Sequence, residues 1–583
     1  MYIAVVQTNP KAGALKENAQ KALALLDELA ANPYPPDLVV FPAYALCGGP
    51  LEGLVASDAF AAECLDVARD FIARAALPTL IGSVVPRPLE DSYSFICEPE
   101  ILYSKDGKGG ALGFVDFENS WDYDKRASDV TIVLDGHTIT VLQDDFPEPD
   151  DDFSDSEILI LMLAKEYHNT NSMFTSSQQL NYLRSLAQDS NAWIVCVNLV
   201  GGQDATVFDG ASLLLDNTGA VVEAAGPFVE QLFTHNIPLT DLDPSKAIPE
   251  RIGRNADHSF IKPLLPYEAD WRALTLAVSD YLGKNGFTDV VLGLSGGIDS
   301  AVTATLAVDA LGPEHVHGVL MPGPYSSEGS ISDATALAQN LGIETHTLPI
   351  TLPFETFKSV SQEVLGQEGS ALALQNLQAR IRTIYLMHLS NTFNWLLLNT
   401  GNKSEAAMGF STLYGDTAGA FAPLGNLYKD DVYGLAAWRN RQGQIIPPAI
   451  LEKAPSAELY EGQTDQDSLP PYAELDRILH LHIEDGLGID QIMEFARLES
   501  DAPLDINLVE EVLRSVARAE FKRRQEPLAP TLGYQDMCLD RNWPITNGFS
   551  DHSRNLSSQR DFGAYLSMIY SGEFPNGWDI SAN

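Results

Sequence analysis

The segment Ser295-Gly-Gly-Ile-Asp-Ser300 brings two glycines, two serine hydroxyls and a carboxylate into six consecutive positions. It follows the apolar run Val290-Val-Leu-Gly-Leu, and the pattern from Ala301 to Ala310 predicts a helix directly after it. Glycines at such a junction let the backbone come close to an anion. Their N–H groups, with the hydroxyls of Ser295 and Ser300, can cradle a phosphate at a helix N-terminus. Asp299 would repel that phosphate unless a cation joined them, and Mg2+ is the usual one. A bare Ser-Gly-Gly reads most simply as a capped turn; the added Asp and Ser between strand and helix favour the phosphate. The spacings GxxxxGK[ST] and GxGxxG are absent, so this is neither a Walker A loop nor a dinucleotide fingerprint. Asp299 is expected to be a solvent-facing loop carboxylate, dispensable for folding.

The elements that must hold this loop are a helix from Trp271 to Lys284, the strand before the loop, the helix after it and a further strand Val316-His-Gly-Val-Leu. That βαβ order implies a parallel, doubly wound sheet. Upstream, strand-like runs at Leu38-Val-Val-Phe, Thr138-Ile-Thr-Val-Leu and Trp193-Ile-Val-Cys-Val-Asn alternate with helical stretches such as Lys16 to Ala31, again an α/β pattern. The segmentation expected is a first domain over 1–238, a Pro-, Asp- and Lys-rich linker over 239–266, a second domain over 267–547 and a tail over 548–583.

At 583 residues the chain is long enough for two or three complete cores. Its net charge of -44 argues against nucleic acid or an anionic membrane as partner. No stretch reaches the roughly 20 apolar residues that cross a bilayer, and Met1-Tyr-Ile-Ala-Val-Val-Gln reads as a first strand, not as a signal peptide. The five cysteines are scattered and form no CxxC pair, which fits a reducing cytoplasm.

The loop resembles the pyrophosphatase loop of ATP pyrophosphatases, which adenylate a carboxylate or carbonyl and then admit a nitrogen nucleophile. Further segments follow in order: Asn376-Leu-Gln-Ala-Arg-Ile-Arg382, Leu398-Asn-Thr-Gly-Asn-Lys-Ser-Glu405, Leu413-Tyr-Gly-Asp416, Phe421-Ala-Pro-Leu, Lys429, Pro455-Ser-Ala-Glu-Leu459, Gln463-Thr-Asp465, Leu469-Pro-Pro-Tyr472 and Phe521-Lys-Arg-Arg-Gln525. The series resembles the synthetase domain of NAD synthetases of the long, glutamine-dependent form. The resemblance implies that Ser295, Gly296, Gly297, Asp299 and Ser300 hold ATP phosphates, with Thr400 and Lys429. Asp299 and Glu405 would bind Mg2+. Asn376, Arg380 and Lys522, with Glu405, would hold deamido-NAD. Lys429, Asp299 and Glu405 would be the catalytic set. Gln375 and Leu413 depart from residues common in relatives and receive no role.

The stretch Met1 to Phe228 resembles the carbon–nitrogen hydrolase (nitrilase-like) domain that supplies ammonia in that family, on Ile3-Ala-Val-Val-Gln-Thr-Asn-Pro, Leu38-Val-Val-Phe-Pro, Asn198-Leu-Val-Gly-Gly-Gln-Asp204 and Phe208-Asp-Gly-Ala-Ser212. This implies an α-β-β-α sandwich with a Glu–Lys–Cys triad. Ala43 stands where the Glu follows Phe-Pro, and Gln143 stands in the cysteine's place. The usual context of the lysine is missing, and the resemblance would make Lys105 or Lys108 its remnant. A methyl carries no proton and an amide is no thiolate. Cys47 and Cys196 read as buried core cysteines. The expectation is an NAD synthetase that takes free ammonia, a homo-oligomer whose first domain is scaffold. The alternatives are nitrogen from a displaced nucleophile or a separate glutaminase, an inactive nucleotide-binding regulator, and a GMP-synthetase-like enzyme.

Overall fold

A computed structural model describes residues 1–88, 95–105, 108–111, 129–143, 147, 151–169, 177–239, 264–499, 504–537, 540–548 and 551. Most of the expected linker and tail lies outside them.

The first half supplies β1 (Tyr2–Gln7), β2 (Leu38–Val40), β3 (Thr79–Pro88), β4 (Phe95–Lys105), β5 (Lys108–Ala111), β6 (Asp129–Leu134), β7 (His137–Gln143), β8 (Ile158–Leu163), β9 (Trp193–Asn198), β10 (Val200–Gln203), β11 (Thr206–Asp209), β12 (Leu213–Leu215), β13 (Val221–Ala224) and β14 (Gln231–Asn236). They form two six-stranded sheets, ordered β14-β1-β2-β3-β4-β5 and β13-β12-β9-β8-β7-β6, plus the hairpin β10-β11. Strands covered on both faces read as continuous apolar runs rather than alternating ones, as Ile158–Leu163 does. One set of side chains, including Ile3, Val5 and Leu80 from one sheet and Ile160, Met162 and Val197 from the other, fills the space between the sheets. Helices Leu15–Ala30 and Asp58–Arg74 cover one outer face, and Ser177–Ser190 covers the other. This is the four-layer α-β-β-α arrangement.

The second half carries β15 (Val290–Gly293), β16 (Val316–Leu320), β17 (Glu344–Thr347) and β18 (Leu396–Leu397), all parallel in the order β17-β16-β15-β18. The winding direction therefore reverses between β15 and β18. In open parallel sheets a ligand crevice opens at the carboxyl ends of the strands flanking such a reversal. Helices Pro266–Asn285, Ile298–Leu311 and Lys429–Arg441 pack one face through Val290 and Leu292. Helix Ala371–Phe393 packs the other through Val291, Val319 and Leu397. A helical lobe around Tyr472–Leu479 and Ile506–Arg523 completes the half.

The two halves share a core: Tyr167, Val207 and Phe228 pack with Ala269, Trp271 and Leu274. The hairpin β10-β11 lies against helix Pro266–Asn285 so closely that a Cβ on Gly202 would sit 2.9 Å from the Ala277 backbone. Lys284 donates to the carbonyls of Gly202 and Pro10, and Asp280 accepts from Asn9 and the Gly202 amide. Among the described residues no helix is long and apolar enough to cross a membrane.

Candidate active site

The site grows from the end of β15. Gly296 adopts φ +76°, and a Cβ there would meet the Ser330 carbonyl oxygen at 2.3 Å. Glycine is thus required twice over, for conformation and for space. The tight turn delivers the chain into helix Ile298–Leu311, with Asp299 in its first turn. Ser295 and Ser300 hydroxyls lie 2.9 Å apart, and the Gly297 amide donates to Ser295 Oγ at 3.1 Å.

The end of β18 supplies the facing wall. Asn402 caps helix Lys403–Met408 by accepting from the Glu405 amide. Its Nδ2 donates to Asp299 Oδ1 at 2.9 Å. From the start of helix Lys429–Arg441, Lys429 reaches both carboxylates: Asp299 Oδ2 at 2.7 Å and Glu405 Oε1 at 3.0 Å. Lys429 is 1% exposed. Burial opposes its charge, but the two carboxylates outweigh burial and hold the ammonium well above the ordinary lysine range. Burial pushes Glu405 up; Lys429 only partly offsets this, and the negative Asp299 adds to it. Lys429 also lies 5.1 Å above the ring of Tyr472, whose hydroxyl donates to Asp465.

Asp299 is therefore not the solvent-facing loop carboxylate expected from the sequence. It lies on a helix, its side chain only 19% exposed, and accepts from two partners. The resemblance grouped Lys429 with Asp299 in one catalytic set; the direct ion pair between them comes from the fold.

These groups open into one cavity of about 490 Å3, within the roughly 300–1,000 Å3 usual for small-molecule sites. Ser295, Gly297, Asp299, Ser300, Thr400, Glu405 and Lys429 line it. Asn376, Arg380 and Lys522 do not. They gather instead on the segment 409–417: Asn376 accepts from the Thr412 hydroxyl, Arg380 donates to the Leu413 carbonyl, and Lys522 donates to the carbonyls of Gly409 and Ser411. That segment in turn gives Ser411, Gly415 and Asp416 to the cavity. Sequence reasoning passed over Arg382, which lines the cavity two residues beyond Arg380, and Asp465 and Asn402. The pair Asn402 and Glu405, spaced as a helix cap and its third residue, was the available signal for Asn402.

In the first half, Ala43 is fully buried in the turn after β2. Gly82 N donates to the Pro42 carbonyl, Leu46 N to the Gly82 carbonyl, and a Cβ on Gly82 would lie 2.5 Å from Ala43 Cα. Gln143 ends β7, beside Met162 of β8. Lys105 pairs with Asp135 at 3.4 Å on the surface, and Lys108 stands opposite it in the β4-β5 hairpin. Cys47 and Cys196 are both 0% exposed. Burial pushes each thiol up, Cys196 to about 12. Such thiols are poor nucleophiles.

A family model described as NAD synthase matches residues 270–526. The glutamine-dependent NAD(+) synthetase of Aquifex aeolicus is 35% identical over 94% of this chain and 100% of its own length; that of Thermotoga maritima is 35% identical over 94% and 99%. Among solved structures, the glutamine-dependent NAD+ synthetase of Acinetobacter baumannii in complex with ADP is 29% identical, with a TM-score of 0.65 over 95% of this chain and 99% of that one. The enzyme from Cytophaga hutchinsonii, 18% identical with a TM-score of 0.75 over 94% and 98%, shares the fold. By sequence along nearly its whole length, with a parallel sheet whose reversal point carries the loop 295–300, the chain belongs to the glutamine-dependent NAD(+) synthetase family.

Proposed function

We propose that this chain amidates deamido-NAD to NAD at the expense of ATP, in the cytoplasm, and takes free ammonia rather than the amide of glutamine. The observation that carries the nitrogen source is Ala43, a methyl group packed against Gly82 where the related hydrolase domain needs a proton-carrying carboxylate. Gln143 at the nucleophile position, and the thiols of Cys47 and Cys196 pushed up by burial, support the same reading. The relatives carry glutamine dependence in their names; this chain would part from them at that step alone. Its first half would be a scaffold, consistent with the core it shares with the synthetase half.

In the reaction, the loop 295–300 would receive ATP phosphates on its amides and hydroxyls, with Thr400 beside them. The Lys429 ammonium would offset charge developing on the α-phosphate and on the leaving pyrophosphate. Asp299 and Glu405 fit Mg2+: two hard oxygen donors converge on one cationic group, and Glu405, pushed up by burial that Lys429 only partly offsets, would be held ionised by a further positive charge. The metal would polarise the phosphates. The nicotinate carboxylate attacks the α-phosphate, pyrophosphate leaves, and ammonia displaces AMP from the acyl-adenylate. Asn376, Arg380 and Lys522 would act on deamido-NAD through the segment 409–417 that they brace, and Arg382 adds a guanidinium facing the cavity itself. Apolar side chains exposed along helices Thr351–Leu365 and Ala371–Phe393, among them Phe357, Val360, Val364 and Ile384, support a homo-oligomer.

The test is NAD formation from deamido-NAD, ATP and Mg2+ with either ammonium or glutamine as sole donor. Turnover with ammonium only supports the reading. Turnover with glutamine that Cys47→Ala abolishes would overturn it in favour of a displaced nucleophile.

A further inference from the structure

A second cluster of chemistry-bearing side chains lies at the amino edge of the β17-β16-β15-β18 sheet, away from the phosphate loop at the carboxyl edge. His317 of β16 stands directly opposite Glu344 of β17, and His346 follows Glu344 by two residues on the same face. One ligating atom from each of these three residues lies within 4.8 Å of the other two. His317 Nδ1 is 3.6 Å from Glu344 Oε2, and His346 Nε2 is 3.8 Å from Glu344 Oε1. These separations are too long for hydrogen bonds.

Two features set the cluster apart from a chance surface grouping. His317 is 7% exposed, yet its Nδ1 is buried without a hydrogen-bond partner, and so is His346 Nε2. Two buried imidazole nitrogens face the same carboxylate and bond to nothing. Buried polar atoms are rarely left so. The other nitrogen of His317, Nε2, lies 3.1 Å from Asp289 Oδ1. With Nε2 donating to the Asp289 carboxylate, the lone pair of His317 stands on Nδ1, aimed into the cluster. A carboxylate that fixes the outer nitrogen of an imidazole is how metal-binding histidines are commonly oriented. Trp395 stacks on His317 with ring centroids 3.6 Å apart and locks the ring plane.

We propose that His317 Nδ1, His346 Nε2 and Glu344 bind a divalent cation of the zinc class at the amino edge of the synthetase sheet, with Asp289 orienting His317. Two imidazoles and one carboxylate select zinc over Mg2+, which prefers an all-oxygen shell. Tetrahedral ligation at about 2.0–2.2 Å puts ligand atoms about 3.4 Å apart. The two short separations end on different oxygens of Glu344, so with one oxygen ligating, one separation contracts by a few tenths of an ångström and the other two, within 4.8 Å, by up to more than 1 Å. Glu344 and His346 can supply this, because β17 is an edge strand and both side chains are partly exposed. Three protein ligands leave the fourth position to water. The ion would pin the edge strand β17 to β16.

The test uses the full chain, stripped with a chelator and titrated with Zn2+ against a chromophoric competitor, and with Co2+ as a spectroscopic probe. One saturable zinc per chain is expected, with a tetrahedral Co2+ spectrum. His346→Asn, on the edge strand, should weaken zinc at least a hundredfold while NAD formation stays unchanged. Asp289→Asn should weaken it about 10- to 100-fold. His317→Asn, which empties a buried position, is read beside His346→Asn so that loss of fold is not mistaken for loss of a ligand. Absence of saturable zinc binding in the parent chain, or parent-like zinc affinity in His346→Asn, would overturn the site.

Discussion

Two adjacent glycines in the loop 295–300 should respond differently to the same added methyl group. At Gly296 the backbone sits at φ +76°, and the new Cβ would overlap the Ser330 carbonyl oxygen at 2.3 Å. The left-handed conformation costs about 1–2 kcal/mol for a non-glycine residue. Relief of the overlap, in a well-packed surrounding, adds about 1–3 kcal/mol. Ser330 lies in the first turns of helix Glu328–Leu341, whose N-terminus is fixed by the Ser327 cap, so the loop must yield, by about 1 Å. A displacement of that size at a reacting centre can cost about a hundredfold in rate. Gly297 sits at φ -96° in extended backbone, and its new Cβ would meet only the Ser295 hydroxyl, at 3.2 Å. Gly296→Ala should therefore lose about 2–5 kcal/mol of stability and at least about a hundredfold in kcat/KM. Gly297→Ala should lose less than about 1 kcal/mol, with any kinetic loss confined to ATP binding. Urea unfolding together with steady-state NAD formation reads both quantities. Equal stability losses in the two variants, or a Gly296→Ala enzyme within threefold of the parent, would refute the geometric argument.

Asp299→Asn keeps the shape but removes one of the two charges on Lys429, and should cut kcat/KM by more than about a hundredfold while raising the Mg2+ concentration needed for half activity; an unchanged Mg2+ dependence would take the metal away from this residue. Asp270, buried between the halves and accepting from Tyr167, is pushed up to about 7, chiefly by burial. A raised carboxyl contributes stability that is fully present below its unfolded pKa and is lost as pH rises from about 4 to 7, at most about 4 kcal/mol. Asp270→Asn should thus match the parent near pH 4 and exceed it at pH 8 in urea midpoint, and a pH-independent difference would contradict this. If neutral ammonia is the nucleophile, the apparent affinity for total ammonium should rise about tenfold per pH unit below the pKa of ammonium; a flat profile from pH 7 to 8.5 would exclude it.

The loop 295–300 was legible in the sequence because its chemistry is local: strand, turn, glycines and hydroxyls all fall within a dozen residues. The doubly wound sheet followed from the same βαβ order. The arrangement of charges around Lys429 was not legible, since Asp299, Asn402, Glu405 and Lys429 meet only when β15 and β18 become neighbours. Arg380 and Arg382 show a second kind of loss. Two residues apart on a helix, they point about 200° apart, and only packing decides which one faces the cavity. The histidine cluster shows a third, because His317 and Glu344 come together through strand register, which spacing alone does not contain. In the first half, the proposed replacement of a functional residue type by an inert one at Ala43 rests on the sequence alone; the tight contact with Gly82 comes only from the fold.

If Ala43 and Gln143 close the glutaminase route, nitrogen enters NAD from free ammonia and never from glutamine. The most direct measurement supplies the enzyme with amide-15N glutamine and unlabelled ammonium together, and reads the nicotinamide nitrogen of the product by mass spectrometry. Unlabelled NAD and no glutamate release are expected. Appearance of 15N in the NAD, with stoichiometric glutamate, would contradict it.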